Sequence, residues 1–211
     1  MTKLIQMTLA LLALLCAVMT MPANAAPFAK PGTGKAASLS QAYTWYDGNS
    51  AQQVWLNPNL LAEFNPSARG ESAVKSVSPG AAPLTTKRAR TGVRLWRLNN
   101  NGNATVRSLT VTYPRGAYSP VFHDSSSAGG RMRALPGNII VYFNPLWDAA
   151  TVSNWIAAHK LEVVRKLEIG TNVYVIKTAP GLDALNTANS LYLSGEVVSA
   201  SPNWWEEMAT R

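Results

Sequence analysis

The sequence predicts an α+β chain, and three observations predict it. Over the last third, apolar stretches of β character alternate with stretches of helical period, each bounded by Pro, Gly or Asn. Past its first residues the chain has no cysteine, so packed cores must hold it together without disulfides. Charge divides it in two: residues 26–135 carry 13 Lys and Arg against 4 Asp and Glu, and residues 136–211 carry 5 against 7. Such a split suggests two modules, the first facing something anionic.

Lys3 precedes an apolar run from Leu4 to Val18, and Ala23-Asn24-Ala25 offers small residues where a signal peptidase cuts. Residues 1–25 therefore read as a secretory signal peptide, which places the chain in the periplasm or outside the cell. The run falls short of the roughly 20 apolar residues of a membrane span, so no membrane contact is expected after cleavage. Cys16 lies inside this run, and Leu15 before it does not suit a lipoprotein cleavage site. Residues 26–42 are small, Pro/Gly-bearing and without period, a flexible leader. Order should begin near Tyr43 with a β-rich basic domain over 43–124, followed by "SSSAGGRMRALPG", 125–137, as an exposed linker.

The elements of 138–203 are the most clearly punctuated. "NIIVYFNP" is a buried-strand run ended by Pro145. Asp148 stands where an N-cap belongs, and Val152, Trp155, Ile156 and His159 follow at helical spacing. "LEVVRKLEI" is a strand, Gly170-Thr-Asn a turn, and "VYVIKTAP" the second strand of a hairpin. Pro180-Gly181 starts a helix with Leu182, Leu185, Ala188, Leu191 and Tyr192 on one side, and Gly195 stops it. "VVSAS" is the last strand. The order βαββαβ, with helices near 148–160 and 181–194, is the ferredoxin-like plan: four antiparallel strands with both helices on one face.

"GNIIVYFNP", the helix and hairpin after it, "APGLDALNTANSL" and above all "EVVSASPNW" resemble the N-terminal prosegment of secreted subtilisin-like serine proteases, from Gly137 to Trp204. A final strand running V-x-x-A-x-P-N is the most specific part of the likeness. The resemblance implies a folding chaperone that lays its sheet over two surface helices of the protease, and a product-like inhibitor of the same enzyme. By the same resemblance, Ser201 and Asn203 would cap the enzyme's helices. The tail 204–211 would enter the substrate cleft, one of Trp204 and Trp205 anchoring the sheet edge and the other meeting the enzyme. Met208, Ala209 and Thr210 would fill the unprimed subsites, with Arg211 at the scissile position.

For the first half two readings stand open, a degenerate copy of the same unit or an ordinary β-rich segment. In the first, "LLAEFNPS" (60–67) answers "IIVYFNPL" (139–146), "GVRLWRL" (92–98) answers "NVYVIKT" (172–178), and "SPVFHD" (119–124) holds the last-strand place. Arg88, Arg90, Arg94, Arg97 and Arg107 accompany Trp45, Tyr46, Trp55, Trp96 and Tyr113. That combination suits a surface for an anionic partner, although secretion argues against nucleic acid. The alternation in "VRLWRL" equally suits a core in which Val93, Leu95 and the aromatics face inward and the arginines face solvent.

No catalysis is expected. The Asp-Ser/Thr-Gly, His-Gly-Thr and Gly-Thr-Ser-Met-Ala surroundings of a subtilisin-like triad do not occur. His123 and Asp124 are adjacent and would point to opposite faces of a strand, and His159 reads as a cation at a helix C-terminus. Neither a metal nor another cofactor is expected. Three functions compete: a stand-alone chaperone and inhibitor of a subtilisin-like protease, a remnant of a protease precursor, and a periplasmic binding module for an anionic partner.

Overall fold

Alternation of side chains along two central strands organises both sheets of the computed structural model, which describes residues 38–66, 72–84, 92–99 and 102–207. In chain order the elements are β1 (Ala42–Asp47), β2 (Ser50–Phe64), α1 (Ala73–Val77), β3 (Ala82–Pro83), β4 (Val93–Arg97), α2 (Gly102–Thr112), β5 (Ala117–His123) and β6 (Met132–Ala134). There follow β7 (Asn138–Tyr142), α3 (Ala149–Ala158), β8 (Glu162–Leu167), β9 (Val173–Lys177), α4 (Leu182–Ser194), β10 (Ser199–Pro202) and β11 (Trp205–Glu206). The fold is mixed α+β, with antiparallel sheets and four helices among the described residues.

The second sheet has strand order β10-β7-β9-β8. Its elements sit where their local signals put them. The Asp148 side chain accepts the Thr151 N–H at 2.7 Å and caps α3, and hydrogen bonding from the Thr151 side chain first, then from this N–H, holds its carboxyl below the usual aspartate value. Gly195 takes the left-handed conformation at φ 72° that ends α4. Ile139 and Val141 of β7, Ile176 of β9 and Ala200 of β10 share one face and pack against Val152 and Ile156 of α3 and Ala184, Leu185 and Ala188 of α4.

The first sheet runs β11-β6-β5-β2-β4-β3, with β1 also paired to β2. Within it, β2-α1-β3-β4-α2-β5 repeats the element order and strand order of β7-α3-β8-β9-α4-β10. The Phe-Asn-Pro match that suggested the repeat is one residue out of register. Phe64 pairs with Val93 whereas Tyr142 pairs with Val173, so Phe64 corresponds to Tyr142 and Asn65 to Phe143. One face of this sheet packs Leu61, Trp96 and Tyr118 on Val74 of α1 and Leu109 of α2. The other gathers Leu60, Ala62, Phe64, Leu95 and Val121.

The described residues form one compact unit, not two modules on a linker. Trp45, Val54, Leu56 and Phe122 from the first sheet belong to the same buried cluster as the helices and strands of the second. The segment 125–137, expected as an exposed linker, contains β6, with Met132, Ala134 and Leu135 buried. Its Leu135 N–H bonds the Ser119 hydroxyl and its Leu135 carbonyl accepts from Gly181 N. Gly181 has φ 77°, and a Cβ there would meet Pro120 Cδ at 3.3 Å, so glycine lets the start of α4 approach β5.

Candidate functional site

Because paired residues in an antiparallel ladder project from the same face, the strand registers fix what the second sheet presents opposite its helices. That outer face carries Asn138, Ile140 and Tyr142 of β7, Val173, Val175 and Lys177 of β9, and Ser199 and Ser201 of β10. On the edge strand it adds Glu162, Arg165 and Leu167. None of its apolar residues belongs to the buried clusters of the described chain. Val173 and Val175 are nevertheless buried, while Ile140, Tyr142 and Leu167 are half-buried. An apolar centre is thus rimmed by serines and by the Lys177–Glu162 pair, whose ammonium sits 2.8 Å from the carboxylate.

Ser201 lies on this outer face opposite Ile140, and Asn203 follows two residues on. The Asn203 N–H bonds the Asn138 carbonyl at 3.0 Å, which carries the ladder past the end of β10. Both side chains are half-exposed. Their oxygens stand at the end of the open face, free of charge and able to accept N–H donors.

The expectation for Trp204 and Trp205 is corrected. Trp204 meets Trp45 edge-on at 5.6 Å and Phe122 at 5.7 Å between ring centroids. Trp205 is 8% exposed and packs on the opposite side of the first sheet with Phe64, Leu95 and Val121. Trp205 is thus an anchor at the edge of the first sheet, and Trp204, half-buried, packs on this chain's own aromatics. The difference arises because β11 pairs with β6, Trp205 opposite Ala134, a contact distant in sequence that no local signal carries. Glu206 bonds Arg133 at 2.7 Å and Arg131 at 3.2 Å, and the Glu207 N–H reaches the Met132 carbonyl. The segment Trp204–Glu207 is thus part of the first sheet, not of a free tail. Met208, Ala209, Thr210 and Arg211 lie outside the described residues, as do the signal peptide and most of the leader.

The histidines have structural partners. His123 Nδ1 donates to the Gly130 carbonyl at 2.8 Å and its Nε2 accepts from Asn57 Nδ2 at 3.1 Å. The Asn57 oxygen is itself bonded by the Asn59 N–H, which fixes the amide and hence the tautomer it meets. Asp124 turns instead to Arg131. His159 caps α3, as its position suggested, with Nδ1 donating to the Trp155 carbonyl. Among the described residues no group of three His, Cys, Asp or Glu is placed to hold a metal.

Trp45, Tyr46, Trp96 and Tyr113 of the basic half pack within the chain. Trp45 and Trp96 are 8% and 3% exposed, and Tyr46 stacks on Tyr192 of α4 at 4.2 Å. Leu95 and Trp96 are both buried, Val93 and Arg94 half-buried and Arg97 exposed, so β4 is covered on both faces and lacks the simple alternation expected of it. Arg94 lies 3.8 Å from the buried Glu63 carboxylate, which also accepts from Trp96 Nε1 at 2.9 Å and from the Ser72 hydroxyl. Arg88 and Arg90 lie outside the described residues.

Sequence reasoning missed Ile140, Tyr142, Val173, Val175 and Leu167 as candidate contact residues. The alternating burial of β7 carries that signal, since its even-numbered positions are only half covered. Among the described residues no helix is long and apolar enough to cross a membrane. No protein-family model matches the chain, and neither does any curated protein or any solved structure.

Proposed function

We propose that the chain is a secreted, non-catalytic protein resembling a protease prosegment, and that it acts in trans on a subtilisin-like serine protease as folding chaperone and inhibitor. The observation that carries the reading is the outer face of β10-β7-β9-β8, whose apolar residues join none of the buried clusters of the described chain and of which Ile140, Tyr142 and Leu167 are only half-buried. The strand order and the βαββαβ connections suit a ferredoxin-like unit, and together with "EVVSASPNW" they support the likeness to prosegments of that enzyme family.

A large protease sheet assembled from distant contacts is slow to form, because loop closure is costly before those contacts are made. A preformed partner face that binds two of the enzyme's helices lowers that barrier. Ser201 and Asn203 would accept the N–H groups that a helix N-terminus leaves without internal partners. Being uncharged, they add no attraction to the helix dipole beyond those bonds.

The routing of β11 changes the inhibitory half of the reading. Trp204 to Glu207 are held in the first sheet, so occlusion of the cleft falls to the residues beyond Glu207. The test is to refold the denatured catalytic domain of a subtilisin-like protease from the same organism with and without this chain. Faster recovery of folded enzyme, and inhibition of that enzyme once folded, are expected. No change in refolding rate together with no binding would remove the proposal.

A further inference from the structure

We propose that the pocket between Trp147, Trp155 and Glu196 binds the arginine or lysine side chain of a protein partner, at a site separate from the outer sheet face. The pocket encloses about 580 Å³ and lies where the β7–α3 loop meets the α4–β10 loop.

Its walls are held in place before any ligand arrives. Asn172, buried and at φ 60°, donates its amide to the carbonyls of both Asn144 and Trp147, at 2.9 and 2.8 Å. Asn144 in turn bonds the Leu146 N–H, so the loop carrying Trp147 is fixed. Trp147 stacks on Phe143, and Phe143 meets Trp155 edge-on at 5.1 Å. Glu196 follows the left-handed Gly195, and its N–H bonds the Ser194 hydroxyl.

The carboxylate is polarised on one side. Trp155 Nε1 donates to Glu196 Oε2 at 3.0 Å, and His159 Nε2 lies 3.1 Å from the same oxygen. Oε2 is therefore occupied and Oε1 remains for a donor from outside. An indole-lined pocket with one open carboxylate oxygen suits a cation on an apolar stem: the stem and charge lie against the rings, and N–H groups reach Oε1. Val198 in the lining, 43% exposed, offers apolar contact to neighbouring side chains of a peptide. Tryptophan, an open carboxylate oxygen and an exposed aliphatic residue thus meet on the acidic half of an otherwise basic chain.

The Trp155 indole N–H reports on the site directly because it is bonded to Glu196. The experiment follows its ¹H–¹⁵N resonance while N-acetyl-argininamide is added to the full chain. A saturable shift with a dissociation constant on the order of 1 mM is expected, and Glu196→Gln, which keeps an acceptor for Trp155, should weaken it at least about tenfold. N-acetyl-citrullinamide, equal in shape but uncharged, should produce no saturable shift. Tetramethylammonium, a cation without N–H donors, should bind more weakly than argininamide. The inference is overturned by no saturation below about 0.1 M, by equal shifts with the citrulline probe, or by unchanged affinity in Glu196→Gln. A Trp147→Ala variant that retains the Trp155 signal and binds as tightly as the parent would overturn it too.

Discussion

Trp45 of β1 and Trp204 next to β11 meet edge to face, their ring centroids 5.6 Å apart, and so close one core over elements from opposite ends of the described chain. The next residue, Trp205, enters the cluster on the other face of the same sheet. Adjacent side chains on an extended segment diverge, and here that divergence fixes β11 from both sides.

Trp205 should therefore matter by volume and not by hydrogen bonding. Its Nε1 is buried without a partner among the described residues, so Trp205→Phe gives up no bond. Trp205→Ala should destabilise by about 3–5 kcal/mol, and Trp205→Phe by much less. Urea denaturation followed by circular dichroism checks both; equal losses would show that the indole N–H has a bond after all.

The shared core makes the second sheet dependent on the first. A fragment 138–203 lacks Trp45, Val54, Leu56 and Phe122 from the cluster that covers α4. It should show no cooperative unfolding transition near room temperature, whereas the whole chain should unfold in one step. Two separate transitions in the whole chain, or a stably folded fragment, would refute this coupling.

How much of this was readable differs between the halves for physical reasons. Asp148, Gly170, Gly181 and Gly195 punctuate β7 to β10 locally, so the order of those elements follows from short-range signals. The first half carries the same order, but α1 has only five residues and β3 only two, too short for a period to register. β6 and β11 are strands of three and two residues whose pairing joins positions far apart in sequence. For that reason Ser-Gly-rich flanks read as a linker and the tryptophans as the start of a tail. The outer-face residues were legible in principle from alternation. Which face would stay uncovered depended on where the first sheet packs.

Tyr118 should set an alkaline limit to stability. It is 5% exposed, and burial first, then the Glu63 charge and Tyr113, raise its phenol above 10.0. A raised folded value means that the native state keeps a proton which the unfolded state releases above pH 10. Stability from the neutral phenol is thus complete below that pH and is lost as pH rises through the folded value. Denaturation midpoints across pH 8–12 should fall more gently in Tyr118→Phe than in the parent chain; identical slopes would deny Tyr118 this role.

Gly181→Ala should cost about 1–3 kcal/mol, since its backbone conformation suits glycine alone. The added Cβ would also press on Pro120 Cδ. Thermal unfolding measures the loss, and an unchanged midpoint would mean that the α4 start shifts freely away from β5.

The central claim is that the outer face of β10-β7-β9-β8 docks a subtilisin-like protease, and Ile140→Arg tests it most directly. Ile140 is half-buried at the centre of that face and contributes to no core cluster among the described residues. The measurement is the inhibition constant of parent and variant against a subtilisin-like protease from the same organism, with unfolding curves of both to show intact folds. The account predicts an inhibition constant raised at least about a hundredfold, or roughly 2.7 kcal/mol, with the unfolding midpoint little changed. Equal inhibition by parent and variant, or no inhibition by the parent chain, would contradict it.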